Sequence, residues 1–121
     1  MIIYVDIDGT ICTEIPDAKI TSGENIEIQK NYIDAEPYVD RIEYINSLYD
    51  KGHTIHYWSA RGVRSNRNWF HETMAQLDSW GCKYHGLSTG NKPHFDAYIC
   101  DKSFNADSWF RHQKVHKDLL L

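Results

Sequence analysis

The chain has 121 residues, 41% of them hydrophobic and 25% charged, with a formal net charge of −4. That length suits one domain spanning 1–121, with room for a four- or five-stranded sheet and helices but not for that core plus a large cap. The acidic balance argues against a general nucleic-acid binder, and no apolar run approaches the length of a membrane span. The cysteines Cys12, Cys82 and Cys100 form no CxxC pair and leave one over, so no disulfide framework is expected. The amino terminus reads as a core strand rather than a signal peptide, and a reducing cytoplasm is the expected setting.

The first element is a short apolar strand, Ile2–Val5, broken by Gly9-Thr10. Between them lie Asp6 and Asp8, two carboxylates at the end of a strand, where open α/β sheets bind ligands. Acids this close repel unless a cation offsets them, and an all-oxygen set suggests Mg²⁺; a plain strand-to-turn junction is the alternative. The stretch 11–35 breaks the alternation of strands and helices. Lys19-Ile20-Thr21 and Ile26-Glu27-Ile28 flank the polar Ser22-Gly23-Glu24-Asn25, which reads as a hairpin; a loose surface loop is the alternative. A helix is expected from Glu36-Pro37, with Val39, Ile42, Ile45 and Tyr49 at helical spacing and Gly52 at its end. Strand two is expected at Thr54–Trp58, followed by Ser59-Ala60-Arg61-Gly62. A second helix is expected from Asn66 to Trp80, with Phe70, Met74, Leu77 and Trp80 on one face and either Ser65 or Asn66 as its cap. Strands are then expected at Lys83–Leu87 and Ala97–Cys100, and a last helix near Asn105 carrying Ala106, Trp109 and Phe110. The four tryptophans are expected in the core and at helix–sheet contacts. This order predicts an α/β fold, a three-layer Rossmann-like and mostly parallel sheet with right-handed crossovers and helices on both faces.

Four segments in order resemble the motifs of the haloacid dehalogenase superfamily: Asp6-Ile7-Asp8-Gly9-Thr10, Ser59 at a strand end, Lys92 in Gly90-Asn91-Lys92-Pro93, and Asp101 closing Asp96-Ala97-Tyr98-Ile99-Cys100-Asp101. The wording around them is similar to small, capless members associated with capsule or lipopolysaccharide biosynthesis. The resemblance implies a phosphatase, a phosphoric monoester hydrolase, with the 11–35 hairpin as a flap over the site. Asp6 would be the nucleophile that forms an aspartyl-phosphate, and Asp8 the general acid and then base. Ser59 and Lys92 would bind the phosphoryl group, with Ala60 and Arg61 on the substrate side. Mg²⁺ would be held by Asp6, the backbone carbonyl of Asp8, and Asp101.

The fourth motif departs from the family pattern. Cys100 stands where a second acid is common, and a soft thiol is a poor Mg²⁺ ligand. Cys100 is therefore expected against the sheet, with Asp101 binding alone. Asp96 is a turn residue or a substitute acid, and His94 a loop residue near the substrate. The seven histidines offer no zinc-like spacing with a third ligand. The expected partner is a small phosphorylated substrate, a sugar phosphate or polysaccharide precursor. The alternatives are a nucleic-acid 3′-phosphate end, which the charge disfavours, and a non-catalytic receiver-like or decayed binding module. An open site makes a homo-oligomer an option, and no membrane partner is expected.

Overall fold

Apolar alternation in two short segments builds the centre of the protein. The structure is a computed structural model that describes residues 1–22 and 25–111, over 18–22 and 25–29 by backbone alone. The strands are β1 (Ile2–Val5), β2 (Ala18–Ser22), β3 (Asn25–Gln29), β4 (Thr54–Ser59) and β5 (Gly86–Thr89), and the helices are α1 (Val39–Asp50), α2 (Phe70–Ser79) and α3 (Ala106–Arg111). A single 3-10 turn, Tyr32–Asp34, follows β3. β4 pairs in parallel with β1 on one side and β5 on the other, in the order β1-β4-β5. The result is a small α/β fold with a parallel sheet, consistent with a Rossmann-like architecture. No helix among the described residues is long and apolar enough to cross a membrane.

Residues alternate along β4, with Ile55, Tyr57 and Ser59 buried and His56 and Trp58 half-buried on the other face. Ile55 and Tyr57 join Val5 and Ile7 in one core with Ile42, Ile45 and Leu48 of α1 and Leu77 of α2. Both helices thus cover the same face, as two right-handed crossovers stepping in one direction require. α3 packs on α1 through the Tyr44–Trp109 and Tyr44–Phe110 ring contacts. On the opposite face Tyr4 stacks on His56 at 4.6 Å and remains 59% exposed. Helices were expected on both faces; among the described helices, α1 and α2 share one face.

The hairpin forms in the expected place. β2 and β3 are antiparallel, with Ser22 opposite Asn25; the Gly23-Glu24 part of its turn lies outside the described residues. α1 starts later than Pro37 because residues 36–38 are engaged elsewhere. The Thr13 N–H donates to the Glu36 carbonyl at 2.9 Å and the Tyr38 N–H to the Ile11 carbonyl at 2.8 Å. Its buried stripe is Ile42, Ile45 and Leu48, and Val39 is 59% exposed. α2 also starts late, since Asn66 is left-handed (φ 58°) and Asn68 Oδ1 accepts the Phe70 N–H at 2.9 Å. Neither Ser65 nor Asn66 caps it, and Thr73 and Leu77 form its buried face while Met74 is 37% exposed. Trp69 and Trp109 are buried, and Trp58 and Trp80 half-buried.

Two strand expectations differ from the structure. β5 begins at Gly86, because the chain before it is tied to the helices: Asn46 bonds the Gly81 carbonyl and the Lys83 N–H, and the Tyr84 hydroxyl donates to Asp78. Residues 97–100 form no strand, and Tyr98 and Ile99 are 62% and 98% exposed. Cys100 accordingly sits half-buried beside an exposed turn rather than against the sheet, its Sγ accepting the Lys102 N–H at 3.3 Å.

Candidate functional site

The carboxyl end of β1 points two acids into one cavity. Val5 and Ile7 are buried in the core, so the alternate residues Asp6 and Asp8 face outward. The chain then turns sharply, with the Thr10 and Ile11 N–H groups donating to the Ile7 carbonyl at 3.0 and 2.9 Å. Gly9 takes φ +78° here, a conformation that costs glycine little.

Lys92 reaches this point from three residues beyond β5. Its Nζ lies 3.0 Å from Asp6 Oδ1, across 86 residues of sequence. Its loop is anchored by Trp58, whose Nε1–H donates to Asn91 Oδ1 at 3.0 Å. Lys92 Nζ also lies 5.5 Å from the centre of the Trp58 ring, within cation–π range. Asp6 is 43% exposed and Lys92 only 14%, so the ammonium is the more shielded partner.

Asp8 has a different partner. Arg61 grips both of its oxygens, Nε to Oδ2 at 3.0 Å and Nη2 to Oδ1 at 2.9 Å. The Arg61 side chain is 1% exposed and that of Asp8 19%. Cys12, fully buried, directs its thiol at Asp8 Oδ1 over 3.6 Å. Burial, and after it the charge of Asp8, push the Cys12 thiol up to about 12, with Arg61 pulling the other way. Tyr32 is raised for the same first two reasons.

The cavity measures about 1020 Å³. Its rim carries Lys30, Arg64 and Arg67, with Asp17 between the first two. Lys30 and Arg64 approach Asp17 at 3.3 and 3.1 Å and so join both ends of the hairpin to the loop after β4. Partial desolvation raises Asp17, but the Arg64 and Lys30 hydrogen bonds outweigh it and hold the carboxyl below its ordinary value. Tyr32, Trp69 and Phe95 supply aromatic wall.

Among the residues expected from the sequence, Asp6, Asp8, Ala60, Arg61 and Lys92 line this cavity, and His94 lies on it too. Ser59 ends β4 and is 1% exposed; its Oγ accepts the Arg61 N–H at 3.1 Å, which shapes the turn. Asp101 lies on an exposed turn with Cys100, outside the cavity lining, and Asp96 is exposed. Among the described residues no group of three or more His, Cys, Asp or Glu is placed to hold a metal ion. Asp101 stands apart from the cavity that Asp6 and Asp8 line, and the Asp8 carboxylate is held by Arg61, which leaves its backbone carbonyl as the expected ligand. Sequence reasoning did not single out Tyr32, Thr73 and Gln76, which contact Arg61, or the bond by which Asn91 accepts the Trp58 Nε1–H. Thr73 and Gln76 stand three apart on α2, a spacing that puts them on one helix face.

No protein-family model and no curated protein matches the sequence. The crystal structure of a structural-genomics target from Vibrio cholerae is similar in fold, with a TM-score of 0.70 at 20% identity over 96% of this chain and 94% of that one.

Proposed function

We propose that the chain is a phosphomonoester hydrolase that works through an aspartyl-phosphate on Asp6. The observation that carries this reading is the Lys92–Asp6 pair at 3.0 Å, a cation brought from far along the sequence onto one of two acids that open into the same cavity. Proximity to an ammonium offsets the repulsion between a carboxylate nucleophile and an anionic phosphoryl group. The order of the motif-like segments supports the same reading.

The reaction runs in two displacements. An Asp6 carboxylate oxygen attacks phosphorus as the ester P–O bond breaks, and the leaving oxygen takes a proton from Asp8. Water then gives a proton to Asp8 and attacks phosphorus, the bond to Asp6 breaks, and inorganic phosphate leaves. Lys92 neutralises charge on Asp6 and on the phosphoryl oxygens throughout. Mg²⁺ belongs to this reading through the resemblance rather than through the placement of Asp101, so no step is routed through it.

The substrate we propose is a phosphorylated sugar or polysaccharide precursor, in keeping with the cavity volume, and the setting a reducing cytoplasm, in keeping with three unpaired thiols. The rim cations Lys30, Arg64 and Arg67 favour a nucleic-acid 3′-phosphate end as the second reading. Phosphate release from sugar phosphates, nucleotides and 3′-phosphorylated oligonucleotides, with Mg²⁺ or chelator and with Asp6→Asn protein as control, tests both. Release from one class that vanishes in Asp6→Asn and with chelator is the expected result. Release unchanged in Asp6→Asn removes the nucleophile, and no release from any class favours a binding module.

A further inference from the structure

Arg61 is the largest fully buried side chain among the described residues, and the reaction above gives it no task. A guanidinium has five N–H donors, and each has an acceptor here. Nε and one Nη2 hydrogen go to the two oxygens of Asp8, and the other Nη2 hydrogen faces Cys12 Sγ at 4.0 Å. Nη1 donates to Thr73 Oγ1 at 3.2 Å and to Gln76 Oε1 at 2.7 Å. The Tyr32 ring lies 4.7 Å from the guanidinium carbon, and the Gln76 amide donates in turn to the Tyr32 carbonyl at 2.7 Å. No donor is left for a substrate.

We infer that Arg61 is a positioning residue that fixes which oxygen of Asp8 exchanges a proton with the reacting group; this rests on the hydrolase reading. A carboxylate offers about four lone pairs. At Oδ1, Arg61 Nη2 takes one, and the Cys12 sulfur, 3.6 Å from Oδ1 and equally near the Ile7 carbonyl, covers the other side. At Oδ2, Arg61 Nε takes one. One Oδ2 lone pair is left as the site where Asp8 holds and releases its proton. A fork that binds both oxygens also stops the carboxylate from turning about its own axis, which a single ammonium does not do. Gln76 sets the fork's orientation from α2 and ties it to the turn after the hairpin.

The test is a series of ring-substituted phenyl phosphates, from p-nitrophenyl to unsubstituted phenyl, read as kcat and KM for wild type, Arg61→Lys and Gln76→Ala. An activated leaving group departs without a proton, whereas a poor one depends on the acid. Arg61→Lys is expected to lower kcat about 10- to 100-fold for phenyl phosphate and by no more than about threefold for the p-nitrophenyl ester, with KM nearly constant. Gln76→Ala keeps both charges of the buried pair and is expected to move in the same direction, by about fivefold on phenyl phosphate; it carries the test if Arg61→Lys does not fold. A loss equal across the series, or a rise in KM without a change in kcat, overturns the inference while leaving the hydrolase reading intact. A wild-type protein that releases phosphate from none of the esters overturns that reading and the inference with it.

Discussion

Asp6 and Asp8 share a motif but not an environment. Asp6 is 43% exposed and meets Lys92 from one side, whereas Asp8 neutralises a guanidinium that is 1% exposed. Removing one member of a buried ion pair typically costs about 3–5 kcal/mol. Asp6→Asn is therefore expected to abolish turnover with a melting temperature near wild type, and Asp8→Asn to lose both turnover and several degrees. Calorimetry beside an activity assay checks this, and equal melting temperatures would remove the distinction. Gly62 gives a second prediction. It has φ +85°, and a Cβ placed there would collide with the Arg67 carbonyl oxygen. Gly62→Ala is expected to cost about 3 kcal/mol or more, from backbone strain together with that collision. Chemical denaturation reads it directly; a loss within about 0.5 kcal/mol would show that the loop rearranges freely. The sequence marked Asp6, Asp8 and Lys92 because their chemistry is visible in residue type. It could not mark Gln76, a helix glutamine whose task depends on a residue 15 positions earlier.

At the scale of elements, the hairpin is moored at its base. Asp17, just before β2, binds both Lys30, just after β3, and Arg64, in the loop after β4. The folded-state pKa of Asp17 is lowered, so the stabilisation is complete above the unfolded value near 3.8 and fades as pH falls below it through the folded value. Protection of the β2 and β3 amides, once intrinsic exchange rates are divided out, is expected to fall from pH 5 to pH 3 more in wild type than in Asp17→Asn. Identical profiles would mean that the mooring contributes nothing. The periodic stripes of α1 and α2 were legible in the sequence, but their first turns were not. Thr13, Glu36 and Tyr38 pair across the start of α1, and Asn68 resets the start of α2; both depend on neighbours that composition does not reveal.

At the scale of the whole molecule, the three thiols differ by position. Burial raises Cys12 to about 12 and Cys82 to about 11, each first by desolvation, while Cys100 borders an exposed turn. Only a thiolate reacts readily, so a thiol reagent at pH 8 is expected to label Cys100 first and the other two only as the protein unfolds. Rapid labelling of Cys12 in the native protein would show that the core under Asp8 opens. Length and apolar alternation were enough to establish an α/β chain with acids at the end of its first strand, because strand periodicity and the chemistry of carboxylates are local properties. The partners of those acids were not local. Lys92 meets Asp6 and Arg61 meets Asp8 only after β4 and β5 line up beside β1. The same assembly leaves 97–100 outside the sheet, with Ile99 98% exposed, since an apolar run becomes a strand only where a neighbouring edge takes up its hydrogen bonds.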